Sequence, residues 1–89
     1  MKIYLTKDFK KAYKRRVQPN QSLVKRFEQR YSLFEENPDD LTLQDHMLSG
    51  RMKDYKAFSI TGDIRVIYYT YKDAVYFVDI GTHNQVYGK

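Results

Sequence analysis

Cysteine is absent from this chain of 89 residues. No disulfide can staple the fold, and no thiolate can build a zinc site. No apolar run approaches the length needed to span a bilayer. The first residues, Met1 to Lys11, are too charged for the apolar stretch of a signal peptide. Glycine-rich phosphate loops and nucleophile elbows are missing, as are internal repeats, low-complexity tracts and linkers. What remains is one domain, 1–89, expected to be soluble and cytoplasmic, without membrane contact and without a cofactor. A core of this size is marginal. Nine Tyr and five Phe enlarge it by adding large apolar areas from few side chains.

The formal net charge is +5. Such a balance in a small domain suggests a polyanionic partner, most often nucleic acid, although a solvated lysine-rich surface gives the same sum. The distribution says more than the total. Lys7, Lys10, Lys11, Lys14, Arg15 and Arg16 crowd one segment, and Lys25, Arg26 and Arg30 follow in the next. Acidic residues gather around one loop, at Glu35, Glu36, Asp39, Asp40 and Asp45.

Met1 to Thr6 alternates polar and apolar residues and reads as a first strand. Thr6 or Asp8 can cap the helix that follows, about Lys7 to Val17, with Phe9, Ala12, Tyr13 and Val17 at helical spacing. Pro19-Asn20 breaks it. Asn20 or Ser22 caps a second helix whose stripe is Leu23, Phe27, Tyr31 and Phe34, and Asn37-Pro38 ends that helix. These aromatic stripes are core rather than ligand box. Asp39 to Gly50 reads as a loop, with a helical turn near Leu41, and it delivers His46. Arg51 to Ile60 is a strand candidate. Thr61-Gly62-Asp63 is a tight turn in which Gly62 is free to take positive φ. Asp63 to Tyr71 is a strand with Ile64, Val66 and Tyr68 on one face, and Arg65, Ile67, Tyr69 and Tyr71 on the other. Lys72-Asp73 turns the chain into a nearly all-apolar strand, Ala74 to Ile80, as a doubly covered strand requires. Gly81 ends it, and His83 to Lys89 reads as a tail. The expected fold is α+β. An N-terminal strand and two antiparallel helices pack on one face of a mainly antiparallel four-stranded sheet.

The candidate chemistry lies between Leu43 and Tyr87. Both histidines, His46 and His83, flank the same strand bundle at loop and strand ends, and histidine suits proton transfer at neutral pH. A lone histidine is more often structural; two beside one sheet favour a site. A metal would need a third ligand, for which Asp63 or Asp79 is available, but ligand spacing within a helix and cysteine are both missing. Asp63 is a good turn residue and also a carboxylate two positions from Arg65. Arginine binds phosphate through parallel hydrogen bonds, and an arginine on an aromatic strand face is uncommon unless it meets an anion or a carboxylate. Lys53 and Lys56 can contact phosphate, and Tyr87, four residues after His83, can stack on a nucleobase.

Three motifs stand in order: Asp45-His46-x-Leu48-x-Gly50, Asp63-x-Arg65-x-Ile67-Tyr68 and Gly81-Thr82-His83. As an ordered set they resemble the RelE superfamily of bacterial toxin–antitoxin toxins, most closely its YafQ-like branch. The helical half is similar only in pattern. The resemblance implies a RelE-like fold and a ribosome-dependent endoribonuclease that cuts mRNA in the ribosomal A site, held inactive by a cognate antitoxin. In the YafQ-like pattern the functional residues fall at His46, Asp63 and His83, with an aromatic at Tyr87; the wider RelE pattern adds Arg65 and Lys56 as phosphate contacts. His46 is then the base, with Asp63 as alternate or as its orienting partner, and His83 is the acid. The basic helices are expected to meet ribosomal RNA. The chain departs from the pattern at Ser59, where another histidine is frequent, at Ile64 in place of an aromatic, and at Met47 in place of a proline. The competing readings are a non-enzymatic module of the same fold that poisons a protein target, and a plain RNA-binding domain.

Overall fold

The computed structural model of the chain describes residues 1–88. The elements follow one another as β1 (Lys2–Leu5), α1 (Lys7–Arg16), α2 (Gln21–Glu36), β2 (His46–Met47), β3 (Lys56–Ser59), β4 (Ile64–Tyr71), β5 (Ala74–Thr82) and α3 (His83–Tyr87). Short 3₁₀ turns at Leu41–Leu43 and Gly50–Met52 flank β2.

Local chemistry sets the helix ends. Thr6 caps α1, accepting from the Phe9 amide at 3.2 Å and donating to the Phe77 carbonyl at 2.8 Å, so one hydroxyl ties the helix start to β5. Asn20 caps α2 by accepting from the Ser22 and Leu23 amides. Asn37, held out of the helical region by Pro38, ends it.

The sheet has five strands in the order β1-β5-β4-β3-β2, one more than expected. The fifth is the two-residue β2, which pairs His46 with Ala57 and Met47 with Lys56 inside the stretch read as loop. β1 runs parallel to β5 and all other pairs are antiparallel. The strand expected over Arg51 to Ile60 begins only at Lys56, because Gly50–Met52 winds into a 3₁₀ turn first.

The helices α1 and α2 cover one sheet face. Phe9, Phe27 and Phe34 meet Phe58, Val66, Tyr68, Phe77 and Ile80 there. Phe34 stacks on Phe58 with ring centroids 4.6 Å apart and meets Tyr68 edge-on at 5.1 Å. The other face carries a second, smaller cluster of Ala57, Ile67 and Val86, bordered by Leu48, Met52, Tyr55 and Tyr87. Strict alternation along β4 separates the two: Val66 and Tyr68 serve the first, and Ile67 the second. A register shift opposite Ile67/Tyr68 lets β5 place both Phe77 and Ile80, an odd and an even position, in the same core.

Both turns form where expected, and their backbone conformations show how. The turn at Thr61-Gly62-Asp63 does not use positive φ at Gly62. The Thr61 hydroxyl builds it instead, accepting from the amides of Asp63 and Ile64 at 3.1 and 2.9 Å. At the next turn it is Lys72 that adopts the left-handed region, with φ 55°. The C-terminal segment read as a tail is the helix α3, and it lies on the face opposite α1 and α2. Lys89, the last residue of that expected tail, falls outside the described residues.

Candidate active site

An open groove of about 650 Å³ runs along the outer face of the sheet. Arg65, half-buried on β4, belongs to its lining. His46, Met47, Leu48 and Ser49 come from β2 and its continuation, and Arg51 and Met52 from the 3₁₀ turn. His83, Val86 and Tyr87 are contributed by α3. The two histidines thus reach one groove from opposite ends of the sequence, and both are exposed to it.

His46 is oriented by its own backbone. Its Nδ1 lies 2.9 Å from the carbonyl oxygen of Gln44. A carbonyl only accepts, so Nδ1 carries the proton and the neutral ring keeps its lone pair on Nε2. Gln44 can aim that carbonyl because it sits in the left-handed region, φ 51°. For a residue other than glycine this costs about 1–2 kcal/mol, so neighbouring contacts must hold it. Leu43, fully buried, is one such anchor.

His83 owes its place to a capping box. The Thr82 hydroxyl accepts from the Gln85 amide at 3.2 Å, and Gln85 Oε1 accepts from the Thr82 amide at 2.8 Å. This opens a helix immediately after β5, so His83 and Tyr87 fall one turn apart. Their rings meet edge-on with centroids 4.6 Å apart. Val86, on the inner side, pins the helix to Ala57 and Ile67.

Arg65 is a charge in the groove without a carboxylate partner among the described residues. Among the described residues the only ion pair joins Arg16 to Asp79 at 3.1 Å. Arg65 makes one long contact, from Nη2 to the Gly62 carbonyl at 3.4 Å, while its Nε is buried without a hydrogen-bond partner there. The Tyr87 hydroxyl is likewise buried and unpartnered among these residues. Unmatched donors of this kind suit an anionic, oxygen-rich ligand.

The remaining candidates lie elsewhere. Asp63 sits on the turn before β4, exposed, outside the groove lining and without an ion pair to Arg65; the partner of His46 Nδ1 is the Gln44 carbonyl. Lys53 is exposed just past the 3₁₀ turn, also outside the lining. Lys56 lines a neighbouring hollow of about 240 Å³ together with Asp39, Asp40, Asp45 and His46, so His46 borders both cavities. Asp79, the other carboxylate weighed as a metal ligand, is taken by Arg16. Ser59 is buried and donates to Gln44 Oε1 at 3.3 Å.

Two cations counted in the basic surface act as struts. Arg16 also donates to the Ile80 carbonyl at 3.0 Å, and Arg30 reaches the carbonyls of Thr42 and Ser59. Lys7, Lys10, Lys11, Lys14 and Arg15 remain exposed on α1. Sequence reading missed Arg51, a second arginine of the groove, because it was taken for the start of a strand. It also missed α3, although Thr82-x-x-Gln85 is a capping signature visible in the sequence.

Comparison with known proteins bears on the family and the fold. The family model for the bacterial toxin of type II toxin–antitoxin system, YafQ, matches residues 1–88. YafQ from E. coli superposes with a TM-score of 0.83 at 23% identity, over 97% of this chain and 97% of that one. The E. coli DinJ–YafQ complex gives 0.80 at 23% identity, again over 97% of each. A copper-bound mutant toxin from Helicobacter pylori gives 0.75 at 25% identity, over 98% of this chain and 99% of that one. No curated protein sequence gives a significant match. No helix among the described residues is long and apolar enough to cross a membrane. With a family model spanning nearly its whole length and the same α+β architecture in solved relatives, the chain belongs to the YafQ family of bacterial type II toxin–antitoxin toxins, within the RelE superfamily.

Proposed function

We propose that this toxin is a ribosome-dependent endoribonuclease that cuts mRNA in the A site by attack of a ribose 2′-hydroxyl on the adjacent phosphate. The observation that carries the reading is the groove shared by His46, Arg65 and His83, with an arginine that has no carboxylate partner among the described residues. Such chemistry needs a base, an acid and cations at the phosphate; the nucleophile belongs to the substrate. His46, with Nδ1–H held by the Gln44 carbonyl, takes the 2′-hydroxyl proton on Nε2. The O2′–phosphorus bond forms as the phosphorus–O5′ bond breaks, and protonated His83 gives its proton to O5′. Arg65 meets the charge that builds on the phosphate oxygens, supported by Arg51 in the groove and Lys56 beside it. Tyr87 stacks on a base. Asp63, outside the groove, is the alternate base.

The exposed cations of α1 and the groove arginines bind ribosomal RNA through phosphates. A cognate antitoxin covers the same cations; that a YafQ toxin has been solved in complex with DinJ supports such a partner.

Single-turnover cleavage of ribosome-bound mRNA, with end-group analysis, tests the reading. The expected products carry a 2′,3′-cyclic phosphate and a 5′-hydroxyl. His83→Ala should slow cleavage by about 10²–10⁴-fold while ribosome binding holds, because an acid acts in the transition state. A 3′-hydroxyl product, or a His46→Ala, His83→Ala double variant as fast as the parent, would overturn it and favour a non-enzymatic toxin. Asp63→Asn separates the two bases: if it abolishes cleavage while His46→Ala does not, the base is Asp63.

A further inference from the structure

His46 stands on a two-residue strand at the edge of the sheet, two residues after the left-handed Gln44. Pairing this short does not by itself fix a ring, and the strained turn at Gln44 must be held by something firmer. The residue between them supplies that link. Asp45 Oδ2 accepts from the Tyr68 hydroxyl at 2.6 Å. Tyr68 is buried in the main core, with its ring 5.1 Å from Phe34 and 5.9 Å from Phe58. Its hydroxyl therefore has a fixed position, set by a close-packed aromatic core.

We propose that Asp45, clamped by Tyr68, is a positioning residue for His46. It anchors the Gln44–His46 turn to the core, so that the Gln44 carbonyl holds Nδ1–H and Nε2 faces the groove. The value of this arrangement for catalysis rests on the nuclease reading, but the clamp itself concerns only the ring of His46.

The environment of Asp45 supports a role beyond packing. Burial raises its carboxyl above the ordinary value, against the pull of the Tyr68 hydrogen bond, Lys56 and His46; Asp39 adds to the rise. Its Oδ1 is buried with no partner among the described residues. A protein selecting for stability alone would fill this place with a neutral acceptor. Burial, and then the Asp45 hydrogen bond, push the Tyr68 hydroxyl far up, so the shared proton stays on the tyrosine and the clamp keeps one polarity at neutral pH.

The experiment is nitrogen-detected NMR of the two histidines in ¹⁵N-labelled toxin, with single-turnover cleavage beside it. In the parent, His46 should show the tautomer protonated at Nδ1. Tyr68→Phe removes one hydroxyl and leaves the ring in the core. It should mix the two tautomers and slow cleavage about tenfold or more at unchanged ribosome affinity, since displacement of a catalytic group is felt in the transition state. Asp45→Asn keeps an oxygen that can accept from Tyr68, and should keep the parent tautomer. Tyr68→Phe with the parent tautomer would overturn the proposal. If Tyr68→Phe does not fold, Asp45→Ala, at a part-exposed position, carries the same test with the same outcomes. If even the parent fails to cleave, the nuclease reading falls, while the ring spectrum still decides the clamp.

Discussion

Replacing Gly81 by alanine should loosen the end of the groove that carries His83. A Cβ built there would lie 2.6 Å from Gln85 Oε1 and 2.8 Å from Arg16 Nη1. Both atoms are the far ends of flexible side chains and would move aside, while Gln85 Cβ, at 3.1 Å, would have to give by a few tenths of an ångström. Each movement breaks something. Gln85 Oε1 is the acceptor for the Thr82 amide in the capping box. Arg16 Nη1 is the donor to Asp79 and to the Ile80 carbonyl. The lost Thr82–Gln85 side-chain bond is worth about 0.5–1.5 kcal/mol, since the Thr82 hydroxyl still caps the helix. The charged hydrogen bonds are worth about 1.5–3 kcal/mol, less where water screens the partly exposed pair. The expected loss is therefore about 2–4 kcal/mol, and each kcal/mol is roughly 4–8 °C of Tm for a domain of this size. Denaturant unfolding of Gly81→Ala, alone and in an Arg16→Gln background, measures it. Because the two changes remove one shared contact, their combined cost should fall short of the sum by about 0.5 kcal/mol or more. An unchanged Tm, or an equal cost of Gly81→Ala in both backgrounds, refutes the reasoning.

Phe34→Ala should cost about 3–5 kcal/mol in urea unfolding, because a fully buried ring in contact with Phe58, Tyr68 and Phe77 leaves a cavity that cannot collapse. Arg65→Lys should weaken both ribosome binding and cleavage, since a point charge cannot replace a planar pair of donors at phosphate; parent kinetics in the lysine variant would remove Arg65 from the phosphate site. Ribosome pelleting over a salt series should show affinity falling steeply with ionic strength, and indifference to salt would contradict binding through phosphates. The raised carboxyl of Asp45 favours the neutral acid in the folded state, so its contribution to stability is present at low pH and is lost as pH rises through its folded value. Asp45→Asn should accordingly match the parent in acid and exceed it near neutrality; a variant less stable at neutral pH would contradict the burial argument.

The main features of the fold could be read from the sequence because they rest on periodicity. Leu23, Phe27, Tyr31 and Phe34 form a helical stripe, and Ile64 to Tyr71 alternates, so α2 and β4 could be read with their faces. The two-residue β2 has no period to detect; it exists because β3 offers an open edge. The helix α3 was hidden by its length, five residues, and by position after a glycine that looked like an ending. His46, Arg65, His83 and Tyr87 were found by residue type and order, and the fold brings them to one groove. Asp63 looked like a strand neighbour of Arg65 by the rule of two, yet the strand begins one residue later and Thr61 holds the turn outward of it. The Gln44 carbonyl could not be read at all, since its role comes from a backbone angle and not from a side chain.

The division of the sheet into two faces explains why a toxin this small can hold a groove without losing its core. One face takes all five phenylalanines, and the helices seal it. The other has only Ala57, Ile67 and Val86 fully covered, too little apolar area to demand a second layer of full-length helices. A helix of five residues and a 3₁₀ turn suffice there, and the space between them is the groove. The register shift in β5 makes the two demands compatible. It lets Ile80 join Phe77 in the core while Gly81 stays opposite Arg65. A glycine in that register leaves room for Arg16 and Gln85 to grip the end of β5. His83 then follows at the first position of α3, against a strand that the main core already holds rigid. His46 reaches the same groove from the least supported strand of the sheet. The asymmetry predicts where the site is fragile: loosening β2 should impair His46 long before it affects His83 or the stability of the domain.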